Sequence, residues 1–180
     1  SGATGRSDPT VAGTVAPNLT DDPSAFGEVL QRDHDRLDGL FDSYRGSSAA
    51  PSPERLARFA PFAAGLRSHI RFEEAYLFPK YREGSPSRGV VVELMLGEHG
   101  RILDALERIE ARLATAAADT AALEEELLSE LWAHNAREEG EVYPWIDASL
   151  SPEEIARLAA QFVGRKDRPG DREGGTPAPG

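Results

Sequence analysis

The four histidines of this 180-residue chain, and the spacing between them, limit its possible folds more than any other feature. His34 and His69 stand 35 residues apart, and so do His99 and His134; the second pair follows the first by 65 positions. Each later histidine of a pair is followed at i+4 by a glutamate, Glu73 after His69 and Glu138 after His134. Four residues along an α-helix bring two side chains onto one face about 6 Å apart, so a nitrogen and a carboxylate can serve one interior point. The neighbouring text repeats as well. His69-Ile-Arg-Phe-Glu73-Glu74 runs on to Phe78-Pro79, as His134-Asn-Ala-Arg-Glu138-Glu139 runs on to Tyr143-Pro144. Asp33-His34-Asp-Arg36-Leu37 is echoed by Glu98-His99-Gly-Arg101-Ile102. Two copies of a helical hairpin, packed together, would surround one shared site with approximate two-fold symmetry.

The punctuation between these residues is helical. Ser52-Pro53, Ser85-Pro86 and Ser151-Pro152 each set a capping side chain before a proline suited to a first turn, and Asp119 can cap a further helix. The expected helices are 22–46, 53–82, 86–116, 120–148 and a short one at 152–163. Pro61 either kinks the second or marks its true start. Apolar residues recur at steps of three and four: Leu30, Leu37, Phe41 and Tyr44 in the first helix, with His34 filling the gap. Val92, Met95, Ile102, Leu106, Ile109 and Leu113 do the same in the third, with His99 in the gap. Phe62 and Leu66 lead into His69, and Leu127 and Leu131 into His134. Such seams pack antiparallel helices joined by short loops. The expected fold is all-α: an antiparallel up-and-down four-helix bundle over 22–163 with a short C-terminal fifth helix. Residues 1–21 and 164–180, rich in Gly, Pro and small polar residues, are expected to lack order.

Burying four imidazoles and two carboxylates in one core needs something to satisfy them, and metal coordination is the standard answer. The candidate metal residues are therefore His34, His69, Glu73, His99, His134 and Glu138. With no cysteine in the chain, thiolate zinc sites and iron–sulfur clusters are excluded, and imidazole with carboxylate suits iron, manganese or zinc. Six protein ligands are too many for one ion with an open position, and they suit two. If both glutamates bridge, each ion receives two nitrogens and two oxygens; a bridging oxo or hydroxo makes five, leaving one octahedral position per ion for a small ligand. The 31 acidic against 20 basic residues disfavour nucleic acid or an anionic membrane as partner. No run is apolar enough to span a bilayer, so a soluble, cytoplasmic protein is expected.

The order His, His-x-x-x-Glu, His, His-x-x-x-Glu on four successive helices resembles the hemerythrin-like (HHE) domain over about residues 22–148. That resemblance implies a non-haem di-iron centre bridged by Glu73 and Glu138, with His34 and His69 on one iron and His99 and His134 on the other. The oxygen-carrying members have a further histidine where this chain has Leu103, and they end with a histidine and an aspartate five residues on. The chain is thus similar to the more symmetric four-histidine members, which are associated with oxygen or iron sensing and with handling peroxide and nitric oxide.

The leading expectation is a protein that binds or reacts with O2 or a related small molecule. The alternative is a di-iron enzyme that removes peroxide or nitric oxide, and a third reading gives the metal a purely structural role. A ferritin-like store is rejected, because that class uses Glu-x-x-His on two helices. Tyr44, on the seam of the first helix, is a candidate second-layer residue at the metal. Glu74 and Glu139 lie 100° round from the bridging pair and are taken as surface or interhelix contacts. Pro79 and Pro144 are expected to bend or end their helices, and Trp132 and Trp145 to sit in the core or an interface.

Overall fold

The computed structural model describes residues 26–165, except 49, 51 and 116–118. The end segments expected to lack order lie outside these, apart from Gly164 and Arg165. The described residues form helices α1 (Phe26–Arg45), α2 (Ser52–Phe72), α3 (Phe78–Arg82), α4 (Pro86–Leu113), α5 (Ala121–Arg137), α6 (Tyr143–Ser149) and α7 (Pro152–Gly164), with no strand among them. Two π-helical turns, π1 (Glu73–Leu77) and π2 (Glu138–Val142), join α2 to α3 and α5 to α6 without a break. The architecture is therefore four long rods plus the short α7, the all-α bundle that the spacing implies.

Contacts along each rod show that neighbours run antiparallel. Tyr44 meets Arg55 while His34 meets His69, and Arg67 meets Glu110 while Glu74 meets His99. Arg108 meets Glu126 while His99 meets His134. The rod ends carry the expected chemistry. Ser85 accepts the Arg88 N–H at the start of α4. At the start of α7, Ser151 and Glu154 satisfy one another's backbone N–H groups as a capping box. Asp119 Oδ1 accepts the Ala121 N–H ahead of α5. Gly84 turns the chain between α3 and α4 at φ 71°, in the left-handed region that glycine enters without strain.

Pro61 lies inside α2 and is not its start. Pro79 and Pro144 do not end their rods either, and the π turns explain how. Proline lacks an N–H and its ring crowds the carbonyl four residues back. In π1 and π2 the ladder widens by one residue just before each proline, so that Phe78 N–H bonds Glu73 O and Tyr143 N–H bonds Glu138 O. The 65-residue repeat thus extends to a backbone irregularity placed at the same point in both halves.

Two apolar clusters flank a polar layer in the middle of the bundle. Phe41, Phe59, Phe62, Leu66, Ile102, Leu106, Ile109 and Leu127 fill one end. Phe26, Leu30, Phe72, Leu77, Phe78, Met95, Val142 and Ile146 fill the other, where α7 adds Ile155, Leu158 and Phe162 as a lid. Among the described residues, no helix is long and apolar enough to cross a membrane.

Candidate metal centre

All six candidate residues converge in the polar layer, and all are buried, with Glu73 and Glu138 at 0 % exposure. On one side His34 Nε2 stands 3.2 Å from His69 Nε2 and 3.4 Å from Glu138 Oε2. His69 Nε2 is 2.8 Å from Glu73 Oε1. On the other side His99 Nε2 stands 3.1 Å from His134 Nε2 and 3.4 Å from Glu73 Oε2. His134 Nε2 is 3.3 Å from Glu138 Oε1. Two groups result, His34–His69–Glu73–Glu138 and Glu73–His99–His134–Glu138, each with its potential ligand atoms within 4.8 Å of one another. Both glutamates belong to both groups.

The outer nitrogens are all held by carboxylates. His69 Nδ1 donates to Asp33 at 2.9 Å, and His134 Nδ1 to Glu98 at 3.1 Å. His34 Nδ1 donates to Glu139 at 3.0 Å, and His99 Nδ1 to Glu74 at 2.9 Å. An ionised carboxylate only accepts, so Nδ1 carries a proton, and a ring in its neutral form turns its Nε2 lone pair inward. Carboxylates behind metal-binding histidines commonly fix tautomer and ring orientation in this way. The pattern follows the repeat: the acid before the first histidine of each half holds the second of that half, and the acid after each bridging candidate crosses to the other half. Glu74 and Glu139 do make the interhelix contacts expected of them, but their partners are the candidate ligands themselves. Arginines steady the deeper pair, with Arg36 and Arg165 on Asp33 and Arg137 on Glu98.

What the centre lacks is positive charge. Glu73 Oε2 and Glu138 Oε1 are buried without a hydrogen-bond partner, and in each histidine pair two lone pairs face each other. Protons can fill part of the deficit. Burial pushes the His69 imidazolium down, yet the charges of Glu73 and Glu138 and hydrogen bonds to Asp33 and Glu73 outweigh it, raising its pKa to about 10. His134 rises to about 9 against its own burial, through Glu138, Glu73 and Glu98. Glu73 and Glu138 are both held below the usual carboxylate range despite burial, by the neighbouring histidines. Cations fit the same place, since they satisfy the orphaned oxygens and the facing lone pairs together and displace those protons.

Tyr44 is not part of this centre. Ten residues beyond His34 along α1, it lies about 15 Å away by helix rise. Its hydroxyl donates to Glu124 at 2.6 Å and accepts from Arg55 at 3.0 Å. The tyrosine at the centre is Tyr143, whose Oη is 3.1 Å from His34 Nε2, 3.0 Å from Glu138 Oε2 and 3.3 Å from Glu73 Oε1. An α-helix would put residue i+5 about 140° round from residue i. In the π turn, whose bonds run i to i+5, Tyr143 comes round over Glu138. Its repeat counterpart Phe78 stacks on His99, ring centroids 5.2 Å apart at 17°.

Trp132 is not in the core; it is 78 % exposed. It lines a groove of about 430 Å³ between α1 and α5, together with Leu128, Asp35 and Asp38, and His34 and Glu139 form part of the same wall. Trp145 is half-buried, edge-on to Tyr81 with Arg88 over its ring.

A helical bundle with a buried, duplicated histidine–glutamate layer short of positive charge defines a cation-binding protein. Residues 26–146 match the family described as Hemerythrin HHE cation binding domain, and the chain belongs to that family. No curated protein and no solved structure matches the chain.

Proposed function

We propose that this domain holds two iron ions, one in each donor group, and uses them to bind or react with O2 or a related small molecule, as a sensor or store. The observation that carries this reading is the sharing of Glu73 and Glu138 between two four-donor groups, which suits a pair of ions rather than one. A non-haem iron pair with an oxo or hydroxo bridge supplies redox chemistry and open positions toward a diatomic ligand or peroxide. The chain's residues do the rest. His34, His69, His99 and His134 present nitrogens in a fixed tautomer, Asp33, Glu74, Glu98 and Glu139 hold the rings, and the two apolar clusters with α7 exclude bulk water.

An alternative, a di-iron enzyme that removes peroxide or nitric oxide, draws on the groove between α1 and α5. Sustained turnover needs a way in and out, and His34 and Glu139 lie on that wall.

The deciding experiment loads the protein with iron, counts the metal, reduces it without air and records the visible spectrum as oxygen is admitted and withdrawn. Two irons per chain and a band that comes and goes with oxygen support capture. Irreversible oxidation followed by fast peroxide or nitric oxide consumption favours the enzyme. Fewer than two irons per chain would overturn the di-iron reading.

A further inference from the structure

We propose that the Tyr143 phenol oxygen is a fifth protein donor to the His34/His69 position, so that the two cation positions are chemically unequal. The inference rests on the two-ion reading above and goes beyond its six ligands.

The argument is geometric. Donors at about 2.1 Å from an octahedral ion stand about 3.0 Å apart along each edge. The donor atoms already assigned to this position meet at 3.2 Å, 2.8 Å and 3.4 Å. Tyr143 Oη stands at 3.1 Å, 3.0 Å and 3.3 Å from three of the same atoms, one from each of His34, Glu138 and Glu73. It therefore occupies a fifth vertex of the same polyhedron. An ordinary buried phenol donates its one proton to one acceptor, whereas this oxygen faces three acceptors at similar range. Ion binding resolves the mismatch, because the cation takes the place of the phenol proton, which leaves to solvent.

The other position has no such donor. At the repeat-equivalent place stands Phe78, which lays its ring on His99 and offers no heteroatom. The repeat is otherwise kept at the bridging glutamates, the histidines and the π turns, so among the side chains that face the two positions the pair Tyr143/Phe78 is where the two-fold symmetry breaks. With five protein donors on one ion and four on the other, the His99/His134 position keeps the larger share of open coordination. An added small anion or diatomic binds there first.

The test uses the full chain, loaded with iron, counted, and oxidised to the ferric state. Phenolate bound to ferric iron has a visible charge-transfer band, and exciting it enhances phenolate ring vibrations in the Raman spectrum. The expected result is this signature in the native protein and its loss from Tyr143→Phe with two irons retained. Phe78→Tyr is expected to add a second phenolate contribution, which keeps the proposal testable if Tyr143→Phe fails to fold. Two irons without a phenolate signature in the native protein overturns the proposal while the di-iron reading stands. So does a signature that persists in Tyr143→Phe. Fewer than two irons in the native protein overturns both.

Discussion

The bundle has two buried polar centres, and only one of them is closed by an arginine. Toward the far end, Arg55 Nη2 donates to Tyr44 Oη, Thr120 Oγ1 and Glu124 Oε1 within 3.0 Å. Tyr44 and Thr120 also donate to that Glu124 oxygen, each at 2.6 Å. Arg55, with Arg45 at 3.9 Å from the other oxygen, meets the one anion, and the hydroxyls complete the bonding. In the histidine layer two carboxylates share a core with four imidazoles whose outer nitrogens are already bound to further acids. Two of its carboxylate oxygens have no donor. The same fold thus shows how a buried charge is closed for stability and how one is left open for a guest. The difference lies in the cation on hand and in donor count: a permanent guanidinium stands in one centre, and only titratable imidazoles in the other, which is also the more deeply buried.

Removing a shared donor should break this contrast most strongly. Glu138→Ala takes an oxygen from both groups and is expected to abolish binding of both ions, as counted by metal analysis, with the helical signal in circular dichroism kept. Survival of two tightly held ions would sink the shared-glutamate arrangement. Next comes the closed centre. Arg55→Ala leaves Glu124 with two hydroxyl donors and only the more distant Arg45 as a cation, which should cost up to about 3 kcal/mol by denaturant unfolding, with metal stoichiometry unchanged. An effect on metal content in place of stability would show that the two centres are not independent.

Smaller effects should grade the acids behind the histidines. Asp33→Asn or Glu98→Gln loosens a buried ring partner, and metal affinity should fall about 10- to 100-fold in a competition titration with a chelator. Glu74→Gln and Glu139→Gln should cost less, no more than about tenfold, because these side chains are 40 % and 33 % exposed and water can replace them. Equal losses at all four positions would mean that burial does not set their worth.

Different parts of this centre were legible to different degrees. The convergence of the six candidate residues could be read from the chain because each His–Glu pair obeys the α-helical spacing of four and the whole set recurs after 65 residues. The supporting acids were visible as echoes, Asp33 with Glu98 and Glu74 with Glu139, but not as partners of the histidines. Each is next in sequence to a donor and so points about 100° away from it; which ring it meets depends on the rod packed there. Tyr44 looked like a site residue because it continues the apolar seam through His34, and it proved to belong to the closed centre ten residues further along the same helix. Trp132 was expected in the core or an interface, and it is exposed, facing the groove between α1 and α5.

Periodicity, capping and repeat spacing by themselves determined an all-α bundle with a duplicated histidine–glutamate layer, because those patterns act over one or two helical turns and need no knowledge of neighbours. Only the tertiary structure decided that Tyr143, not Tyr44, stands over that layer. A π turn begins at each shared glutamate, and that one extra residue swings position i+5 into the core, where α-helical counting never places it.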